Sequence, residues 1–408
     1  MKASKSSIWI LFLFIFILNA LYSVWSFAFT DPNLVLTSWP PFWNFQQFMW
    51  SMSKQTLTYA YVAIVFGQFF LSVFVSKRAK TFNFDFKHWL IAFFIVTAPL
   101  LFSNNALSHD VFNYIFNARM VIKYQMNPHV QVAQHFFYDP WIRFMHNIHT
   151  PAPYFYGWTA LSLLPYVLGF EKFLLTWLLF RAWSALGLLL TFLIIWLMMK
   201  KLHKENRFHF SLLLFNPLLY IELISNSHND GWLTWPALLS LYLVQPSKKN
   251  TKLSFGKIIV SLLLLLLSMS TKYVTILLVP IWLLFVLHAS VDKFLNRFHL
   301  SVLRAFNLFD LSAFFLFLPL LSARSQQFHP WYLSWSIIFL PLMKNTYAKL
   351  ALVVLSVSSM LRYVPWLYNG AFEYTPQIEM NEKLITWVPL IIVPIYFLLN
   401  RVVLRKTS

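Results

Sequence analysis

The sequence predicts an all-α integral membrane protein that crosses the bilayer many times, and composition and apolar run length are the two observations behind this. Of the 408 residues, 59% are hydrophobic and only 11% are charged. A soluble domain carries about a quarter charged residues, so most of this surface must face lipid. Apolar runs of roughly 15 to 30 residues recur along the chain, and each must be helical because helices satisfy their own backbone hydrogen bonds in hydrocarbon.

The length of the apolar runs, with breaks at Pro, Asn and charged residues, predicts about twelve membrane spans. They lie near 8–30, 56–75, 88–104, 171–199, 209–225, 231–245, 255–271, 273–289, 309–322, 331–343, 346–362 and 384–400. Several are short, and these are expected to be tilted pairs or half-helices.

The apolar segment 152–170 does not fit this series of spans. A full crossing there would reverse the side on which the basic cluster at 200–207 lies. We therefore expect a re-entrant or surface-lying helix, broken by Pro165 and Gly169.

The charge distribution predicts the orientation. The net charge of +19 would suggest nucleic acid in a soluble protein, but the basic residues here lie in short loops between apolar runs. With both termini cytoplasmic, 22 of the 32 basic residues fall on the inner side, as the positive-inside rule requires. The chain is therefore expected in the cell membrane, surrounded by lipids and without a nucleic-acid partner, with a long extracytoplasmic loop at 103–170 that carries interfacial helices.

The sequence predicts a single membrane domain over 1–408. It shows no internal repeat, no low-complexity tract and no Gly- or Ser-rich linker. The first apolar run is too long for a signal peptide and is interpreted as a retained helix. The absence of cysteine excludes disulfides and thiol chemistry, and only 7 glycines with no Gly-rich loop exclude a nucleotide-binding fold.

Polar side chains collect on the predicted outer face from several separate stretches of chain. The candidate site residues among them are His109, Asp110, Tyr114, Tyr154, Glu222, His228, Asn229, Asp230, Lys272, Tyr273, Arg324, His329 and Tyr332.

Asp110 is the candidate catalytic residue. The pattern that follows it is helical and amphipathic, which predicts an interfacial helix with its aromatic side chains in lipid and Asp110 turned toward a wet cavity. A carboxylate at such a cavity can accept a proton from a hydroxyl, and partial burial would raise its pKa toward the working range. The alternative is that Asp110 is simply the N-cap of this helix.

The segment 228–230 and Glu222 place further polar groups on one helix pair. Asp230 could be an ordinary helix cap, but buried acids are costly unless partnered, which favours a function. Lys272 lies in a turn too short to need a solubilising side chain. With Arg324 and His329 it could hold a phosphate, and the alternative is that it snorkels to the membrane surface.

The sequence does not favour a metal site. His109, His135, His146 and His149 fall in one loop, but their spacing matches no zinc pattern. Interfacial histidines of this kind are more often hydrogen-bonded surface residues. Neither a divalent metal nor another cofactor is expected.

These motifs resemble the GT-C polytopic glycosyltransferases, in particular the bacterial polyprenyl-phosphate-mannose-dependent mannosyltransferases. The resemblance spans residues 108–332 and is carried by Ser-His-Asp-Val-Phe-Asn-Tyr at 108–114, Asn127-Pro128, Thr-Pro-Ala-Pro-Tyr at 150–154 with Gly157-Trp158, Asn216-Pro217 through Glu222 to 228–230, Lys272-Tyr273 and His-Pro-Trp-Tyr at 329–332. Two features depart from the family pattern. His109 stands where a second acid is common, and the tyrosine-glycine-proline element is loosened to Tyr-Phe-Tyr-Gly at 154–157.

The resemblance implies transfer of a hexose, with mannose favoured, on the non-cytoplasmic face with inversion at the anomeric carbon. The donor would be a polyprenyl-phosphate sugar and the acceptor a glycan or lipid-linked hydroxyl. Asp110 would activate the acceptor, and Lys272 with Arg324 would neutralise the departing phosphate. His228, Asp230 and His329 would orient sugar hydroxyls, and the remaining candidates would line the substrate site.

Two other interpretations remain open at this stage. A transporter or lipid flippase would also place polar groups in a membrane cavity, although near the midplane and usually with an internal repeat. An inactive relative that serves as an assembly scaffold is the other.

Overall fold

The computed structural model describes residues 5–79, 86–203, 206–246, 253–287, 307–321, 328–370 and 375–406. Over these ranges the chain is 77% helix and contains no strand. The predicted all-α fold is therefore confirmed.

The described residues of the N-terminal half form nine α-helices followed by a short π-helix. These are α1 (Lys5–Ser26), α2 (Pro40–Ser51), α3 (Lys54–Ala79), α4 (Phe86–Leu100), α5 (Asp110–Ile122), α6 (Tyr156–Val167), α7 (Phe173–Lys201), α8 (Arg207–Leu214), α9 (Pro217–Tyr220) and the π-helix Ile221–Ser225.

The C-terminal half continues with eight more described α-helices. These are α10 (Asp230–Val244), α11 (Phe255–Thr271), α12 (Val279–Val286), α13 (Leu308–Phe317), α14 (Ser334–Ile337), α15 (Thr346–Leu361), α16 (Val364–Tyr368) and α17 (Pro376–Lys406). Turns of 3-10 helix lie at Phe27–Phe29, Pro32–Leu34, Ala133–Phe136, Ile142–Phe144, Tyr273–Leu278, Leu318–Leu321 and Pro330–Leu333.

Four described helices are long and apolar enough to cross a membrane by themselves. They are Trp9–Phe29, Lys54–Ala79, Phe173–Lys201 and Thr346–Tyr368. The pair Arg207–Leu214 and Pro217–Ser225, bent by 40° at its break, would make a fifth. These helices make the chain a membrane protein, but they do not confirm the predicted count of about twelve.

The predicted span at 331–343 is wrong. This stretch forms the 3-10 turn Pro330–Leu333 followed by the single helical turn α14, and its residues are almost all buried in protein. Apolar composition alone cannot distinguish a segment covered by lipid from one covered by other helices.

The start of α10 is held against the middle of α7 by a close contact between glycines. A Cβ atom on Gly187 would lie 3.1 Å from the carbonyl carbon of Gly231, so side chains there would push the helices apart. The hydroxyls of Thr191 and Thr234 share a hydrogen bond of 2.8 Å next to it. Small residues commonly allow such close packing between membrane helices, and here the packing fixes the position of Asp230.

The short helix α2 was not predicted from the sequence. It joins the ends of α1 and α3 and is held there by hydrogen bonds from Gln46 to the Phe27 carbonyl oxygen (2.6 Å) and from Trp50 to that of Thr30 (2.9 Å). Phe48 on this helix and its N-cap residue Trp39 are strongly exposed. Exposed aromatic residues on a short amphipathic helix are typical of the membrane–water interface.

Helix α5 is buried in protein, which corrects the expectation that its aromatic side chains lie in lipid. Phe112 and Phe116 are 3% and 1% exposed. Farther along, Arg119 pairs with Asp139 at 2.6 Å and lies 4.1 Å above the Trp141 ring. The loop at 123–155 therefore folds over α5 and replaces lipid as its cover.

The segment 152–170, which is expected to form a re-entrant or surface-lying helix, contains the 12-residue helix α6. At 1.5 Å per residue it is too short to cross a bilayer. Its first turn meets the end of α11, where a Cβ atom on Gly157 would lie 2.6 Å from the Ser270 carbonyl oxygen.

This contact predicts that Gly157→Ala destabilises the protein. The added methyl group overlaps backbone that cannot move without shifting α11, and such overpacking costs about 1–3 kcal/mol in the free energy of unfolding. The thermal unfolding midpoint in detergent should fall by several degrees. The matched control is Gly256→Ala, where nothing lies within 4 Å of the added Cβ atom. Equal midpoints for the two variants would contradict the contact.

Candidate functional site

The candidate site lies at one end of the helix bundle, where helix termini from distant parts of the chain meet. Asp110 is the first residue of α5 and Asp230 the first residue of α10, whereas Lys272 directly follows α11. The 3-10 turn Pro330–Leu333 supplies the aromatic rings that cover them.

A histidine lies between two carboxylates at the centre of this site. His228 Nδ1 is 3.5 Å from Asp110 Oδ2, and His228 Nε2 is 3.5 Å from Glu222 Oε2. The side chains of His228 and Glu222 are fully buried, but that of Asp110 is 25% exposed. Asp110 is therefore the member of the group that a substrate can reach.

The two carboxylates and the histidine change each other's ionisation. Burial acts to lower the pKa of His228, but the close approach of Asp110 and Glu222 outweighs it and raises that pKa to about 9. Burial acts to raise the pKa of Asp110, but His228 and the charge of Lys272 hold it below its ordinary value. The expectation that burial would raise the pKa of Asp110 is wrong, because the neighbouring cations dominate.

Asp110 is not a helix cap. The N-cap residue of α5 is His109, whose side chain makes no capping hydrogen bond, and the first backbone N–H of the helix donates to Ser108 Oγ at 3.4 Å. Asp110 does receive an interaction from the Tyr154 hydroxyl, which also lowers its pKa. The Tyr154 ring packs edge to face against that of Tyr114 at 4.8 Å. Of the two predicted tyrosines, Tyr154 thus interacts with the Asp110 carboxylate itself, and Tyr114 packs against Tyr154.

Glu222 is held rigidly by its own partners. Its side chain accepts hydrogen bonds from the Tyr363 hydroxyl (2.9 Å) and from Asn226 Nδ2 (3.0 Å). It belongs to a π-helix, and Ser227 just beyond has a positive φ of 59°. Such irregular backbone is enriched at functional sites because it is retained only where the surroundings enforce it.

Lys272 forms an ion pair with Asp230, so it does not snorkel away from the site. Its Nζ atom is 2.9 Å from Asp230 Oδ1 and lies 5.0 Å above the ring of Tyr332. The indole N–H of Trp335 donates a second bond to the same Asp230 oxygen. Asp230 therefore positions the lysine rather than capping its own helix.

The start of α10 contains buried polar side-chain atoms that are available to form hydrogen bonds with a ligand. Asp230 Oδ2 and both side-chain atoms of Asn229 have no hydrogen-bond partner among the described residues. Buried polar atoms are usually paired, and unpaired ones in a site are commonly satisfied by substrate or water.

Two histidines and a tryptophan form a stack beside these charges. The Trp331 ring lies 3.8 Å from that of His228 and 4.3 Å from that of His329. Burial lowers the pKa of His329 to about 4, so it is neutral at physiological pH. A neutral His329 does not fit the suggested role of holding a phosphate, and its role of orienting sugar hydroxyls stays a prediction.

Two predicted residues, Tyr273 and His109, do not join the site in the described structure. Tyr273 is 55% exposed and packs against Phe155 instead. His109 faces His146, with their rings 4.2 Å apart. Arg324 lies outside the described residues.

The described residues contain no group of three or more His, Asp or Glu side chains that could hold a metal ion. That the protein binds no metal ion remains a prediction from the sequence.

Sequence reasoning missed the buried network that supports the site. Arg181 of α7 donates to Ser103 Oγ at 2.9 Å and to Asn105 Oδ1 at 2.6 Å, and Ser103 in turn reaches Ser225 of the π-helix at 2.7 Å. The available signal was a single Arg inside a long apolar run, since a charge in a membrane helix must have partners.

Sequence reasoning also missed the pair Arg362–Glu382, whose side chains meet at 3.0 Å and are 7% and 8% exposed. This pair borders the same end of the bundle as His329.

Comparison with known proteins identifies the family. Residues 24–288, well over half of the chain, match the family model described as alpha-(1->6)-mannopyranosyltransferase, N-terminal domain. The chain belongs to this mannosyltransferase family. No curated protein and no solved structure shows a significant match.

The predicted resemblance to mannosyltransferases and the prediction of a membrane glycosyltransferase are thereby confirmed. The match includes Asp110, Glu222, His228 and Lys272. It ends before the aromatic turn at 330–333, so these aromatic residues of the candidate site lie outside the matched range.

The buried pair at Lys272 generates a stability prediction. Lys272→Met leaves the Asp230 carboxylate buried without its cation, which costs about 3–5 kcal/mol in the free energy of unfolding. Adding Asp230→Asn should recover part of this loss, because a neutral amide needs no cation. Denaturant unfolding of both single variants and the double variant measures the coupling. Strictly additive effects would show that the pair does not stabilise the fold.

Proposed function

We propose that this mannosyltransferase moves a mannosyl residue from a polyprenyl-phosphate donor to a hydroxyl group of a glycan or lipid-linked acceptor, with inversion, on the non-cytoplasmic face. The observation that supports this most is the partly exposed Asp110, kept ionised by His228 beside the ion pair of Lys272. It combines a base and a cation at one end of a membrane bundle.

In the proposed reaction Asp110 accepts the proton of the acceptor hydroxyl. The acceptor oxygen then bonds to the anomeric carbon as the bond from that carbon to the donor phosphate oxygen breaks, and the lipid phosphate leaves with the electron pair. A general base of this kind contributes about 10²- to 10⁴-fold to the rate. Attack opposite to the leaving group inverts the anomeric carbon.

Lys272 is the cation that we propose for the departing phosphate. Its side chain is 20% exposed, so a donor can reach it although it is bonded to Asp230. The donor phosphate would bind beside this ion pair, with its negative charge next to the partly solvated ammonium group of Lys272. The positive charge of that group would then stabilise the departing phosphate electrostatically. Arg324 stays a candidate for the same role from the sequence alone.

The charge distribution supports the proposed orientation. The two longest spanning helices each end in basic residues at the terminus far from Asp110, with Lys77 and Arg78 on α3 and Lys200 and Lys201 on α7. The positive-inside rule assigns that end to the cytoplasm. The site then opens to the other side, with both chain termini cytoplasmic.

The competing interpretations have less support. In a transporter the ionisable groups usually lie at the midplane on broken helices, whereas Asp110, Asp230 and Lys272 lie at helix ends. An inactive scaffold would have no reason to keep a reachable carboxylate ionised by a buried histidine. Family membership also favours the enzyme.

Asp110→Asn tests the proposed base. The amide cannot accept the hydroxyl proton, so turnover with polyprenyl-phosphate mannose and a mannoside acceptor should fall by more than a hundredfold at equal expression. Glu171→Gln, which alters a strongly exposed carboxylate on the loop after α6, should keep full activity. Unchanged turnover in Asp110→Asn would remove this residue from the mechanism.

The pH profile tests the role of His228. Asp110 acts only when ionised, so kcat/KM should fall as the pH drops through its pKa. His228→Gln removes the cation that lowers this pKa, so the acid limb should move to higher pH. His135→Gln, which alters an exposed histidine on the outer loop, should leave the acid limb in place, and an unmoved acid limb in His228→Gln would contradict the coupling.

A further inference from the structure

A cavity of about 230 Å³ opens next to the candidate site, on the side of the C-terminal helices. The lining residues used in the argument are His329, Trp331, Arg362, Tyr363, Trp366 and Glu382. All of them lie outside the part of the chain that matches the family model.

The cavity shares its walls with the proposed catalytic residues. The Trp331 ring that borders it is stacked on His228 at 3.8 Å. The hydroxyl of Tyr363, another lining residue, donates to Glu222 at 2.9 Å. The cavity is therefore lined by side chains that directly contact His228 and Glu222, and its lining residue His329 lies within the electrostatic influence of Asp110.

The charges at the cavity favour a neutral ligand over an anion. Arg362 and Glu382 contribute one positive and one negative charge, and their side chains meet at 3.0 Å while remaining more than nine-tenths buried. His329 is neutral at physiological pH because burial lowers its pKa to about 4. Over its described lining the cavity thus has no net charge, and a phosphate there would meet the Glu382 carboxylate.

The same groups suit a sugar. A guanidinium group supplies fixed planar donors and a carboxylate supplies acceptors, so together they can bond to neighbouring hydroxyl groups of one ring. Trp366 adds flat apolar surface for the C–H face of that ring. The volume is close to that of one sugar residue, below the size of a site for a drug-sized ligand.

We propose that this cavity binds the terminal sugar of the acceptor glycan and thereby presents its hydroxyl group to Asp110. The assignment rests on the proposed function. It divides the site into two parts, with the anionic donor phosphate at Lys272 and the neutral acceptor sugar beside Trp366 and the Arg362–Glu382 pair.

The variant Glu382→Gln tests this assignment. Its amide keeps the shape of the side chain but loses the charge that accepts sugar hydroxyls and orients Arg362. In the transfer assay we expect the KM for a mannoside acceptor to rise about tenfold or more, with the KM for the donor unchanged. The matched control is Glu379→Gln on the same helix, whose partner Lys383 at 2.6 Å is exposed and away from the cavity.

Direct binding separates this proposal from the proposed function, because it needs no turnover. Saturation-transfer NMR with methyl α-mannopyranoside should show contact with the wild-type protein and with Glu379→Gln in nanodiscs. The signal should be lost in Glu382→Gln and in Trp366→Leu, which removes a ring face without altering the ion pair.

Equal mannoside signals in wild type and in both cavity variants would overturn the assignment. So would a rise in the donor KM of Glu382→Gln with an unchanged acceptor KM, or displacement of the mannoside by inorganic phosphate. A wild-type protein that binds the mannoside but transfers no mannose would instead count against the proposed function alone.

Discussion

The structure of the site depends on one constraint, which is that charges inside a membrane helix bundle must be paired. A carboxylate or ammonium group removed from water costs several kcal/mol unless an opposite charge or hydrogen bonds replace the solvent. Here the pairs join distant parts of the chain, as in His228 with Asp110 and Lys272 with Asp230. Each pair therefore fixes the ends of two helices relative to each other.

The three acids of the site differ in how far they are exposed. Glu222 and Asp230 are fully buried and hold His228 and Lys272 in position, whereas Asp110 is partly exposed and shares its histidine. An ionised carboxylate that faces substrate is suited to accept a proton, and a buried one is suited to orient a cation. We therefore propose that the same residue type serves two roles here, which are set by its surroundings.

Much of the fold could be predicted because lipid leaves the backbone few options. The long apolar runs became α1, α3 and α7 near their expected bounds. Burial could not be predicted in the same way, since an apolar face looks the same whether lipid or protein covers it. For that reason the aromatic side of α5 and the segment at 331–343 were assigned to lipid, although both are packed inside the protein.

The ionisable residues of the site were visible in the sequence as costly charges at the ends of apolar runs, but their partners were not. Nothing in the sequence indicates that His228 lies between two acids, or that Arg362 meets Glu382. The most direct test of the central claim is an experimental structure with a non-transferable phosphonate analogue of the lipid-linked mannose donor. The account predicts the phosphonate beside Lys272 with the anomeric carbon facing Asp110. A donor bound away from this end of the bundle, or a carboxylate of Asp110 turned from the sugar, would contradict it.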